Sequence, residues 1–274
     1  MLIAAAFASK LLFYGSSLAT AGAAVHGALG RTIGRGWLLL AAAVLVAAAA
    51  LRLFVLNAQM GGSLAAGFSP DTFGWTWAGL GAQTTALVAA AAAAAAAAIV
   101  RKRIIFLAAG LTAASAFALA GHAAGLDAPG LAPFVVALHV LIAAFWVAAP
   151  VVLWPSATLA DDVVAARTAR FSAVAVWIVP LLFVSGGWLL LRLTGGIDAA
   201  LSSVYGRLLL AKLLAAGVIL AVGAINMKIV SRQLTVSPAR GRKALRTTLR
   251  IDAILFFVVV LLVASATTFT GPDQ

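Results

Sequence analysis

The sequence predicts an all-α membrane protein, a polytopic bundle of about eight transmembrane helices with both termini on the periplasmic side. Three observations predict it. Of 274 residues, 64% are hydrophobic and only 9% are charged, against about a quarter charged in an ordinary soluble domain. The apolar residues gather into eight runs, each close to the roughly 20 residues that cross a bilayer. The 19 lysines and arginines fall mostly in every second gap between runs, which is how positive charge sets topology. The net charge of +12 is therefore a topology signal and not a nucleic-acid footprint, and no nucleic-acid partner is expected. Cysteine is absent, which removes disulfides, thiolate metal sites and redox thiols. Eight spans with short loops use up the length. Residues 1–274 thus read as a single integral-membrane domain whose main partner is the lipid bilayer, in the inner (plasma) membrane.

The first run, Leu2 to Ala28, stops before Gly30 and Arg31. Its opening MLIAAAFASKLLF lacks the basic start of a signal peptide and reads as a retained span. The second run is Trp37 to Leu56. The segment NAQMGGSLAAGFSPDTFGWTW follows as a turn-rich interfacial loop that carries Met60. The third run, Leu80 to Val100, contains ten consecutive alanines, Ala89 to Ala98. In lipid these form a smooth face for close backbone approach. The remaining runs are Ile104 to His122, Pro133 to Trp154, Phe171 to Leu193, Gly206 to Val230 and Ile251 to Phe269.

Fourteen of the 19 basic residues lie on one side of this arrangement. Arg31 and Arg35 follow the first run; Arg101, Lys102 and Arg103 follow the third; Arg167 and Arg170 follow the fifth. Lys228, Arg232, Arg240, Arg242, Lys243, Arg246 and Arg250 follow the seventh. The opposite loops hold Asp71, Asp127 and Asp198. The positive-inside rule puts the basic side in the cytoplasm.

Polar groups inside spans are costly and therefore informative. His122 closes the fourth run at the outer surface. His139 lies six residues into the fifth, on the order of 9 Å below the same surface. A short loop joins the two, so a shared site is plausible, and Trp146 follows His139 on the same helical face. Imidazoles together with the Met60 thioether suit copper, the thioether favouring Cu(I) over Cu(II). His26 sits near the cytoplasmic end of the first run, roughly 30 Å from that pair, and reads as a helix-interface residue. Lys10, Arg52, Arg192, Arg207 and Lys212 all fall toward the outer ends of their runs. Each can snorkel; together they make a basic outer rim suited to an acidic partner or a ligand carboxylate. Asp252 opens the eighth run and reads as a counter-charge to the neighbouring basic loop.

A family resemblance bears on the histidines. GHA at Gly121 to Ala123, ALHVLIAAFWVAAP from Ala137, ARFSAVA from Ala169, VYGRLLLAK from Val204, INMKIV from Ile225 and a final span with Asp252 follow one another in order. This ordered set, clearest over 121–274, resembles the copper-resistance protein D (CopD) family. The resemblance implies an inner-membrane protein of copper homeostasis, not an enzyme, that moves copper from periplasm to cytoplasm beside a small periplasmic copper-binding protein, CopC. His122 and His139 match family histidines, and Trp146, Tyr205, Lys212, Asn226 and Asp252 fall on further motif positions. FWVAAP stands where a glycine-rich turn is more usual, and Asp252 where a glutamate is common.

Other functions compete with this one. A primary pump finds little support, with no phosphate loop, no aspartyl-phosphorylation motif and no room for a nucleotide domain. Hydrolytic catalysis lacks a serine–histidine–acid set and HExxH. The rival is a haem-binding electron carrier, with His122 and His139 as an axial pair and Arg52 and Lys212 meeting propionates. A two-haem version ligated only by histidine needs four, and the chain has three. A structural or sensing role is the third reading, and an oligomer of this chain is compatible with all of them.

Overall fold

A computed structural model describes residues 1–270. The long helices are α1 (Leu2–Ala28), α2 (Arg35–Met60), α3 (Phe73–Val100), α4 (Arg103–Ser115) and α5 (Ala132–Val147). They continue with α6 (Ala149–Val152), α7 (Asp161–Thr194), α8 (Ile197–Ser202), α9 (Val204–Ile225), α10 (Ser231–Val236) and α11 (Pro238–Phe269). No strand occurs among the described residues. Seven helices are long and apolar enough to span a membrane, and Arg103–Ala118 is a shorter apolar helix. This short helix runs antiparallel to α1: Gly27 of α1 approaches Phe106 near its start, and Phe13 stacks on Phe117 near its end at 4.9 Å.

The loops sort into two ends. Phe7 stacks on Phe269 at 5.6 Å and the Tyr14 hydroxyl meets Thr267 Oγ1 at 3.1 Å, so the start of α1 and the end of α11 share one end. At the other end Arg31 donates to the Arg167 carbonyl (3.2 Å) and Arg101 to that of Ile33 (2.7 Å). Arg246 donates to Pro155 O (3.0 Å), and Arg242 pairs with Asp161, the one ion pair among the described residues. Burial, with Arg167 and Arg170 close by, holds the Arg31 guanidinium below its usual pKa. The positive-inside rule assigns this basic end to the cytoplasm. A tag at either terminus should then be accessible in intact spheroplasts and one at Ser237 protected; a protected C-terminus would reverse the assignment.

Small residues set the packing. α1 lies at the centre, with Ser17, Thr20, Ala21 and Ala24 fully buried. A Cβ on Gly22 would stand 2.4 Å from the Ala144 carbonyl oxygen, so α1 and α5 touch backbone to backbone there. The alanine run supplies Ala90, Ala91 and Ala94 to a cluster with Ala42, Leu45 and Ala49 of α2 and Ala109 and Ala113 of α4. Such interfaces draw on dispersion and close approach, since lipid offers no hydrophobic drive between helices.

Several boundaries differ from the sequence reading. Met60 is the last residue of α2 rather than part of a loop, and α3 begins at Phe73, so Trp75 and Trp77 are helical. Buried Asn57 organises the intervening turn, donating to the carbonyls of Ala66, Gly67 and Ser69 and accepting from Thr72 and Thr76. The fourth helix gives way to a 3₁₀ turn at Ala116–Ala118, so His122 sits in an irregular segment and not on a helix. Gly121 (φ +92°) and Gly130 (φ +48°) within it hold backbone conformations that favour glycine. The fifth run breaks at Ala148 because Pro150 has no N–H to give Trp146 O. α7 and α11 start ten and thirteen residues before the apolar runs Phe171–Leu193 and Ile251–Phe269. Hydropathy marks where a helix enters lipid, not where it begins; Asp161 and Asp162 suit the positive N-terminus of α7. Asp252 consequently lies inside α11, 2% exposed, and forms no ion pair, which removes the counter-charge reading.

Candidate functional site

A cavity of about 400 Å³ opens among α1, α2, α5, α7, α9 and α11 in the outer half of the bundle. His122 and His139 both line it, as do Trp146, Tyr205, Lys10, Arg52 and Lys212. The histidines arrive differently. His122 comes from the irregular segment after α4 and meets Tyr205 of α9 edge-on, ring centroids 5.6 Å apart. His139 projects from the second turn of α5, and Gly186 of α7 makes room for its ring: a Cβ there would be 3.1 Å from His139 Cε1.

Ser185 sets the chemistry of His139. Its hydroxyl donates to the Leu182 carbonyl at 3.0 Å, and its oxygen stands 2.9 Å from His139 Nδ1. With the hydroxyl hydrogen on Leu182, Nδ1–H is the donor to Ser185 and the lone pair lies on Nε2. A metal-binding imidazole ordinarily has this arrangement, one nitrogen fixed by a hydrogen bond and the other free to ligate. Sequence reasoning missed Ser185 and Gly186. A polar residue within a span was the available signal, but nothing in the chain marks it as facing a histidine 46 positions away.

The basic rim divides in two. Lys10, Arg52 and Lys212 turn into the cavity. Lys10 donates to the Thr267 carbonyl, and the Arg52 guanidinium sits 4.9 Å over the Phe13 ring with its Nε buried and unpartnered. Arg192 and Arg207 are exposed outside it, and Arg192 donates to Ala128 O at 2.6 Å. Met60 is not among the lining residues: it is 47% exposed, and its sulfur accepts from the Thr76 hydroxyl at 3.4 Å. Among the described residues no three His, Cys, Asp or Glu side chains come together as a metal cluster.

His26 belongs to neither surface. It is fully buried, donates from Nε2 to the Phe145 carbonyl at 2.9 Å and stacks on Phe145 at 4.6 Å. The second cavity, about 390 Å³, lies toward the basic end and is lined by Asn226, Met227 and Asp252 among mostly apolar groups. Asn226 opens a π-helical turn, Asn226–Val230, and its side-chain oxygen accepts from Thr248 at 2.6 Å; such turns recur at functional positions. Asp252 Oδ1 is buried without a partner. Trp146 and Phe183 line both cavities.

Residues 165–266, from α7 through most of α11, match the family model CopD, copper resistance protein D. The match takes in Arg192, Tyr205, Arg207, Lys212, Asn226 and Asp252, while His122, His139 and Trp146 precede it. No curated protein and no solved structure matches the chain. The all-α membrane-spanning architecture agrees with the matched region, and over those residues the chain is similar to the copper resistance protein D family.

Proposed function

We propose that the protein carries copper across the inner membrane from periplasm to cytoplasm, taking it up in the outer cavity through His122 and His139. The observation that carries this reading is the convergence of the two histidines, from separate segments, on one cavity at the end opposite the basic loops. Neutral imidazole nitrogens are good copper donors, and the contact between Ser185 and Nδ1 of His139 supports Nε2 as the metal-facing nitrogen. Exposed Arg192 and Arg207 near the outer mouth suit the acidic face of a periplasmic copper-binding protein of the CopC kind.

Time-resolved copper measurement in fractionated cells tests the direction. Expression should raise cytoplasmic copper after a copper pulse, and the purified protein should contain copper and show no Soret band. A rise confined to the periplasm would overturn the direction, and a stoichiometric Soret absorber would replace the copper reading with a haem one.

A further inference from the structure

The outer cavity supplies two strong copper donors and three cationic side chains. Lys10, Arg52 and Lys212 line it with His122 and His139, and no aspartate or glutamate is among its lining residues. A bare copper cation gains two nitrogens there but meets only positive charge, in surroundings that screen charge poorly. Arg52 keeps its charge throughout, and its buried Nε is a donor still lacking an acceptor. The two unmet requirements are complementary: the metal needs further ligands, and the Arg52 guanidinium has a donor without an acceptor.

We propose that the cavity binds copper together with a small anionic co-ligand, a halide or a carboxylate. His122 and His139 hold the metal, the anion completes its coordination, and Arg52, Lys212 and Lys10 hold the anion. The species taken up is thus a neutral or anionic copper complex rather than the free cation. This inference rests on the copper reading above and specifies its substrate.

The test is a Cu(II) titration of the purified protein in a buffer of weakly coordinating anions, repeated with chloride or acetate added. Halides and carboxylates bind copper in solution, so without the proposed site they weaken the apparent affinity by competition. With the site, they should strengthen it, by about tenfold for a coupling of ordinary size, and copper should tighten anion binding by the same factor. The Cu(II) electron paramagnetic resonance spectrum of the wild type should change with the identity of the anion, a readout that requires no variant. In the double substitution Arg52→Gln/Lys212→Gln the anion should become a competitor, while Arg52→Lys should retain part of the enhancement.

Copper binding that depends on His122 and His139 but is indifferent to the anion, or only weakened by it, would overturn the inference and leave copper uptake standing. Enhancement that persists undiminished in Arg52→Gln/Lys212→Gln would also overturn it, since the anion would then need no cation. Absence of copper binding under every anion would remove the copper reading itself, and this inference with it.

Discussion

The double substitution His122→Ala/His139→Ala should abolish copper binding by the purified protein and copper-dependent accumulation in cells, while leaving the helical bundle assembled. Loss of an outer-shell partner to a metal ligand costs roughly 10–100-fold in affinity, and removal of both nitrogen donors should exceed that range. Ser185→Ala should fall inside it: the ring stays, but the hydrogen bond that reserves Nε2 for the metal is gone. The fold should tolerate these changes. Ser185 still donates to Leu182 when His139 is truncated, so its hydroxyl keeps a partner, and the loss of one hydrogen bond is worth about 1 kcal/mol. Metal analysis beside thermal unfolding in detergent separates the two effects. Unchanged copper stoichiometry in the double variant would rule out these histidines as the site.

Gly22→Val should damage assembly of the bundle at its centre. Its first added carbon would lie 2.4 Å from the carbonyl oxygen of Ala144 and 2.8 Å from Ala148 Cβ, and backbone cannot swing aside as a side chain can. Overpacking costs typically 1–3 kcal/mol, and here the strain falls where the central helix α1 touches the helix that carries His139. α1 and α5 would be forced apart, with loss of thermal stability and of copper binding together. Gly15, on the same helix, is the internal control: nothing lies within 4 Å of a Cβ built there, so Gly15→Ala should be neutral or stabilising by about 0.5–1 kcal/mol through helix propensity. Equal melting temperatures for Gly22→Val and wild type would show that the helices do not pack this closely in the membrane.

Span number and the polarity of the loops were legible because lipid imposes them. A run of about 20 apolar residues and an asymmetry of lysine and arginine are requirements of insertion, written locally in the chain. His122 and His139 stand out in the sequence for a related reason, as ligand-type side chains at or near spans, and both line the outer cavity. Helix rotation was not legible. A span surrounded by lipid and protein is apolar on all sides, so hydropathy does not show which face turns inward. Hence Lys10, Arg52 and Lys212 could not be separated from Arg192 and Arg207, although the first three enter the cavity and the other two are exposed. Met60 was drawn to the histidines because the end of α2 was placed too early; the buried hydrogen bonds of Asn57 that shape the following turn join residues no local pattern connects. The depth of Asp252 was hidden by the extension of α11 at the basic end, where a basic sequence continues as helix before the apolar portion begins.

Trp146 and Phe183 have a mechanical meaning beyond their places on the two cavity walls. One indole and one phenyl ring form a partition common to an outer and an inner chamber of nearly equal size, about 400 and 390 Å³. A change in either ring therefore reaches both chambers at once, and on the proposed copper path these two rings are the bulk that separates the halves, so Trp146→Ala should merge the two volumes into one.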